Sequence, residues 1–238
     1  MHTGRRIASL DELDTRDAVV MCDITPRQLL RIAGPRPTPG YRRTLERFRF
    51  GPGAFKIDYA LSEPIPWKAV ECKRAMTVHI GGTFDQIAQA ELEVISGRQA
   101  EKPYLLVAQP SLFDPTRAPA GKHTAWAYCH VPNGSRDDRT AAIEAQIERF
   151  APGFSDCVLA RRILAPADLE SMDENLIGGD INAGAFNVKQ VLFRPGFRTY
   201  RTGTPGLYLC SASTPPGGGV HGMCGFHAAQ AALRDLRM

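Results

Sequence analysis

The residues best suited to chemistry lie near the end of the 238-residue chain, in the run GLYLCSASTPPGGGVHGMCGFHAAQAAL, residues 206–233. An apolar strand, Gly206 to Cys210, feeds the small residues Ser211, Ala212, Ser213 and Thr214. Two prolines and three glycines follow, and an alanine-rich helix starts near Gly222. Glycine lets a backbone approach a ligand because no Cβ stands in the way. A helix start presents unpaired N–H groups and partial positive charge. Together they suit an anion or an electron-rich ring oxygen. The same spacing equally suits a glycine-rich turn capping an ordinary strand–helix pair, since a glycine-rich loop is a weak signal by itself.

Other candidates are more dispersed. Tyr128 and His130 alternate on one predicted strand and so share a face, which could line a substrate cavity; packed or surface histidines are the commoner kind. His221 sits inside the glycine run, and His227, one turn into the last helix, reads as structural. Asp180 and Asn182 belong to a GGDIN loop and either reach a ligand or shape a turn. Cys210 and Cys224 flank the glycine loop and read as small packing residues without a resolving partner. Trp67 and Trp126 read as core or interface. The six cysteines and six histidines show no CxxC pair and no zinc spacing. No metal site is expected, and the thiols read as reduced in a cytoplasmic protein.

The elements that must position these residues come from pattern. Residues 18–23 are a short apolar run ending in an acid, as in a buried parallel strand. Thr25 and Pro26 open a helix to Ala33, and a second helix covers Tyr41 to Phe48. Ala54 to Leu61 alternates with period two, as a strand with one dry face does. Thr77 to Ile80 is a strand, and Phe84 to Ser96 a helix with Ile87, Leu92 and Ile95 on its apolar side. Tyr104 to Gln109 and Thr124 to Val131 read as paired strands. A helix over 138–150 has Ala141, Ile143, Ile147 and Phe150 inward; a strand Val158 to Leu164 and a short helix from Pro166 follow. Residues 178–199 read as irregular. The expected class is α/β with α+β character: antiparallel strands in the middle, strand–turn–helix units at both ends.

Composition bounds the function. Hydrophobic residues are 43% and charged residues 23%, which excludes wholesale disorder and rod-like folds. Net charge is +4 with arginines scattered, so no nucleic-acid partner is expected. No stretch approaches the roughly 20 apolar residues of a membrane span. The start, MHTGRRIASLDELDTRD, has no apolar signal core, so secretion is not expected.

Gly206-Leu-Tyr-Leu, Thr214-Pro-Pro-Gly-Gly-Gly-Val220 and Gly222-Met-Cys-Gly225 resemble the C-terminal FAD-binding motif of phytoene desaturase-like oxidoreductases, within the amine oxidase-like flavoprotein superfamily. The segments 107–123, 126–134 and 178–182 also resemble the bacterial subgroup, and 23–30 resembles the point where that family's chain leaves the FAD domain. The resemblance implies a partial FAD-binding domain at 1–25, a mixed-sheet substrate domain at 26–200, and the closing strand and helix of the FAD domain at 201–238. It implies FAD as cofactor, lined by Ser213, Gly218, Gly219, Val220, His221, Gly222 and Met223; Tyr128 and His130, from their shared strand face, and Asp180 and Asn182, from their loop at the flavin edge or a substrate, are the substrate-side candidates. The implied reaction is hydride transfer from an apolar, extended substrate to flavin. That step needs alignment and a dry pocket more than an acid or base, so no catalytic residue is singled out.

The departure from the family is large. No strand–GxGxxG–helix is present: Gly51-Pro-Gly53 opens no matching helix, and Gly219, Gly222 and Gly225 lie at the wrong end. The chain therefore reads as a truncated, C-terminal half, expected to hold FAD weakly or not at all alone. A separate N-terminal FAD-binding chain, a homo-oligomer and peripheral membrane contact are the partners this implies. The other reading is a non-catalytic substrate-domain remnant that binds lipophiles or dimerises.

Overall fold

The computed structural model describes residues 2–13 and 18–237. Strand β1 (Val20–Cys22) leads through Thr25 into α1 (Pro26–Ala33). Thr25 caps this helix by accepting the Gln28 N–H, and Pro26 takes the first helical position, where no N–H is needed. Gly34, at φ 55°, ends the helix. Thr38 and Pro39 repeat the device for α2 (Pro39–Glu46), which begins two residues before the expected start. Strand β2 (Gly53–Leu61), β3 (Thr77–Ile80), α3 (Phe84–Ile95), β4 (Leu105–Ala108) and β5 (His123–Val131) follow. Next come α4 (Thr140–Phe150), α5 (Phe154–Cys157), β6 (Val158–Leu164) and α6 (Pro166–Met172). The chain ends with α7 (Val188–Leu192), β7 (Leu207–Leu209) and α8 (Met223–Asp235).

Two compact units result: Met1–Gly51 with Ile181–Met238, and Pro52–Asp180. These boundaries differ from those expected at 25/26 and 200/201. The reason is packing. Helices α1 and α2 bury Leu29, Ala33, Tyr41 and Leu45 in one cluster with Leu10, Cys22, Leu207 and Leu209, so they share a core with the terminal strands.

The first unit is built on a two-stranded sheet in which β1 and β7 run parallel, Met21 opposite Tyr208. The helix α8 packs behind it through Ala231 and Ala232 against Tyr208. The second unit holds a five-stranded sheet in the order β3-β4-β5-β2-β6. All four of its pairings are antiparallel, so the middle of the chain is α+β and the ends supply the parallel pair. The dry face of β2, Phe55, Ile57, Tyr59 and Leu61, packs with Leu105, Val107, Ala127 and Cys129 of its neighbours. Ile143 and Ile147 of α4 and Phe154 of α5 close that core from the same side.

Two expectations need correction. On α3 the structure buries Ala90 and Val94 against Ala100 and leaves Leu92 and Ile95 exposed. The chain turns back at Gly97 (φ 80°), which brings Ala100 onto the small-residue side of the helix rather than the larger apolar one. Within the stretch expected to be irregular, α7 forms because Asn187 caps it, accepting the Gln190 N–H at 3.0 Å.

Candidate functional site

In the first unit, the loop between β7 and α8 is fixed from below. Thr214 Oγ1 donates to the Ser211 carbonyl at 2.7 Å, and the Ser213 hydroxyl donates to the Ala183 carbonyl at 2.8 Å. Both residues are fully buried. The buried Arg194 guanidinium passes under the loop and donates to the Ala212 carbonyl at 3.3 Å. A Cβ on Gly217 would come within 2.8 Å of this guanidinium, and one on Gly184 within 2.3 Å. Glycine at these two positions makes room for the cation. The GGDIN residue Asn182 leans on the same loop: a Cβ at Gly218 would lie 3.2 Å from its Oδ1.

The top of the loop is open. Gly219, Val220, His221 and Gly222 are exposed, and Met223 is half-buried. Gly222 takes φ 63°, the left-handed region, and starts α8. Intrahelical bonding begins with Phe226 N–H to the Gly222 carbonyl at 3.1 Å, so the first-turn N–H groups stand at the helix mouth. The N–H of Met223 is accepted by His221 Nδ1 at 3.0 Å. That bond places the ring proton of a neutral His221 on Nε2. Side chains at Gly222 and Gly225 would meet no atom within 4 Å, so backbone is presented there without obstruction.

Of the expected cofactor-lining residues, the structure gathers Gly218, Gly219, Val220, His221, Gly222 and Met223 at the helix mouth, while the hydroxyl of Ser213 points into the loop's own anchoring. Cys22 on β1 and Cys210, just past β7, have their thiols pushed up to about 11 by burial, which keeps them neutral and unreactive. Cys224 is buried, with its Sγ 3.4 Å from the Thr214 and Gly217 carbonyls.

In the second unit, Tyr128 and His130 do share a face of β5, opposite the packed core. His130 Nδ1 pairs with Glu91 Oε2 of α3 at 2.7 Å. The rings of Trp126, Tyr128 and His130 run along the strand with centroids 6.2 and 5.9 Å apart. The Lys56 ammonium, on β2, sits 5.6 Å over the Trp126 ring and also meets Asp58. His79 of β3 contacts the hydroxyl of Tyr104, just before β4. Burial, and then the nearby Tyr104 and Glu91, raises the Tyr128 phenol, so it stays a neutral donor. The face is an aromatic strip with a cation at one end and a proton-holding His–Glu pair at the other.

Asp180 is fully buried at the end of this unit. The glycines before it serve packing. Gly53 presses its backbone to the Gly178 carbonyl, which a Cβ would approach to 2.4 Å, and Gly134 N–H donates to that carbonyl at 2.8 Å. Among the described residues no His/Cys/Asp/Glu group could hold a metal ion, and no helix is long and apolar enough to cross a membrane.

No protein-family model matches the chain. It is 38% identical over 163 residues to mouse pyridine nucleotide-disulfide oxidoreductase domain-containing protein 2, covering 63% of this chain and 28% of that protein. It is 28% identical over 160 residues to the neurosporene-forming phytoene desaturase of Rhodobacter capsulatus, covering 63% of this chain and 30% of that one. The chain thus spans under a third of the length of these relatives. The structure of wild-type putrescine oxidase bound to putrescine overlays with a TM-score of 0.56 at 14% identity, over 92% of this chain and 43% of that one. The chain is a relative of the FAD-dependent oxidoreductases, matching their C-terminal portion.

For the flavin that these relatives imply, the residues present fit one end. The open backbone at Gly222 and Gly225, and the helix mouth beside His221, suit an electron-rich ring edge. Nothing in the sequence offers the glycine-rich turn that cradles a pyrophosphate. Sequence reasoning missed Arg194 and Glu91. Neither carries a motif; only the fold shows that one underlies the glycine loop and the other completes a pair with His130.

Proposed function

We propose that this chain supplies the flavin-ring end and the substrate wall of an FAD-dependent oxidoreductase that acts on an extended apolar substrate. The observation that carries this reading is the unobstructed helix mouth at Gly222 and Gly225, on a loop held from below by buried Ser213, Thr214 and Arg194. A flavin held at this helix mouth would supply the hydride acceptor for a substrate carbon. The chain's own residues do the remaining work. The α8 start and its partial positive charge favour electron density on the ring edge. His221, its Nδ1 engaged by Met223, offers Nε2–H as a donor. In the second unit, Trp126 and Tyr128 provide an apolar wall, and His130 with Glu91 holds a proton at Nδ1.

In this reading the part of the dinucleotide site that cradles the pyrophosphate comes from outside these 238 residues, and an FAD-binding polypeptide that carries it can be supplied in trans. The test is the visible spectrum of the purified chain after FAD addition and gel filtration, alone and with that polypeptide co-expressed. A colourless chain that turns yellow with its partner supports the reading. A chain colourless in both cases, but able to retain a polyene or a fatty acyl chain, would instead support the non-catalytic lipophile-binding module.

A further inference from the structure

The second unit holds a cavity of about 260 Å³ at the outer edge of β3, walled by Trp67, Val78, Ile80, Ile87 and Phe150. Val78 and Ile80 belong to the packed core, so the cavity opens on the side of the sheet away from Tyr128 and His130. Its size is near the lower end for small-molecule sites and suits a ring system rather than a long chain.

Each wall is held separately. Trp67 Nε1 donates to Gln109 Oε1 at 2.9 Å, and Gln109 Nε2 donates to the Cys72 and Ala75 carbonyls at 3.0 and 2.9 Å. Lys68 ties the same segment to the end of α4: its N–H donates to the Phe150 carbonyl at 3.0 Å and its Nζ to the Arg149 carbonyl at 3.3 Å. Gly81 lets the start of α3 close over the strand edge, since a Cβ there would come within 2.6 Å of Ile87. A concavity framed in this way is preformed, and a ligand pays little ordering cost to enter it.

One wall is polar, and it is backbone. Strand β3 ends the sheet and pairs with β4. The Gln109 N–H donates to the Met76 carbonyl at 2.9 Å, which makes Met76 and Gln109 a hydrogen-bonded pair of this antiparallel ladder. Bonded and non-bonded pairs alternate along such a ladder. Val78 and Ile80 therefore bond to β4, and His79 turns its N–H and C=O toward the outer edge, where it lines the cavity. A donor and an acceptor from one residue, flanked by apolar walls, match a planar ring with an acceptor beside a donor. Amino-substituted nitrogen heterocycles carry that edge: the ring nitrogen accepts and the amino group donates. A hydrocarbon chain would fill the volume but leave both backbone groups desolvated and unmet. A carboxylate would meet the N–H and face the carbonyl. For an added peptide strand, the four residues of β3 are a short edge.

We propose that this cavity is a binding site for a small amino-substituted heterocycle of the nucleobase class, read by the His79 backbone at the edge of β3. The site lies wholly within the second unit and does not depend on the flavin reading.

The test uses the whole chain, with adenosine as probe. Cys72 lines the cavity and is half-buried, so its alkylation by iodoacetamide, followed by mass spectrometry with glutathione as reference, reports occupancy. Adenosine is expected to slow that alkylation saturably. Purine riboside, which lacks the amino donor, is expected to bind at least about tenfold more weakly. His79→Ala keeps both backbone groups and is expected to bind within about twofold of the parent, whereas His79→Pro removes the outward N–H, which no ladder bond uses, and is expected to lose at least about tenfold. Ile87→Trp fills the cavity without touching β3 and is expected to abolish protection, so the site is tested even if the proline variant melts early. No protection by adenosine in the parent chain overturns the proposal. So does equal protection by purine riboside, which would mean that any flat ring enters. Loss of binding with His79→Ala overturns it by assigning recognition to the imidazole, and undiminished protection in Ile87→Trp overturns it by moving the ligand elsewhere.

Discussion

The two units solve stability differently. Among the described residues, Pro52–Asp180 closes its five-stranded sheet over one cluster of 18 buried side chains, while the largest cluster of the other unit has 8. With less than half the apolar cluster, the first unit leans on polar ties. Arg201 forks onto Asp235 with three contacts between 2.8 and 3.2 Å, Thr202 Oγ1 donates to the Leu207 carbonyl at 2.8 Å, and Gln190 holds Arg49. A two-stranded parallel sheet has little independent stability, because parallel strands are ordinarily covered on both faces within larger sheets. The unit that carries the glycine loop is thus the more weakly founded one. It holds its loop by hydrogen bonds, which fix geometry well and add little net stability each.

The largest effect should fall in the better-packed unit. Phe154 is fully buried and meets Tyr59 edge to face at 5.2 Å. Phe154→Ala should cost about 3–5 kcal/mol in urea unfolding, and Leu209→Ala in the first unit about 2–3, because a small cluster collapses more readily onto a void. If Leu209→Ala shifts the unfolding of both units together, they form one cooperative block and the contrast fails.

Next in size is the anchor of the glycine loop. Ser213→Ala removes a fully buried donor from the Ala183 carbonyl and should cost about 1–3 kcal/mol, with the loss read in hydrogen exchange of 181–184 and 211–218. An unchanged exchange pattern would mean that Arg194 and Thr214 alone hold the loop.

A smaller effect separates stability from function. Gly225 lies inside α8 at an ordinary helical angle, with open space where a Cβ would go. Gly225→Ala should therefore stabilise the unit by roughly 0.5–1 kcal/mol. If backbone at this position meets a flavin, the same change should weaken flavin retention in the co-expressed protein. Stabilisation with undiminished flavin binding would show that the glycine is an ordinary helix residue and move the site elsewhere on the loop.

The contrast also explains what was legible in the sequence. Strands β2 and β3 lie within a residue of their expected bounds because period-two burial on a one-sided sheet writes itself into the residue order, whereas β6 keeps its expected bounds while exposed along most of its length. The α1 start was legible because Thr25 and Pro26 are local signals. The face of α3 was not: its larger apolar residues lie on one side and its small ones on another, and only the tertiary position of Ala100 decides which is buried. The glycine loop was visible as a loop. Its foundation was not, since Arg194, Asn182 and Ala183 are distant in sequence and reach it through the fold.

The smallest expected effects lie in acid, and they compare the units through surface carboxylates. In the first unit, hydrogen bonds from Arg201 and Tyr208 hold Asp235 below the ordinary 3.8. In the second, Glu148 is held below 4.5 by backbone and side-chain hydrogen bonds, with the Gly153 and Ser155 N–H groups donating at 2.9 and 2.6 Å. A carboxylate whose folded pKa is lowered binds fewer protons folded than unfolded between the two values. Its stabilisation is present above the unfolded pKa and is lost as pH falls through the folded one. Both groups are solvent-screened, so each contributes little. Carboxyl NMR titration should show Glu148 and Asp235 protonating below 4.5 and 3.8 respectively. Replacing Arg201 with Gln should move Asp235 toward its ordinary value and leave Glu148 in place, if polar ties of the first unit act independently of the second. A coupled shift in both would mean that the Arg201–Asp235 fork supports structure beyond its own unit, so that the two units do not act independently.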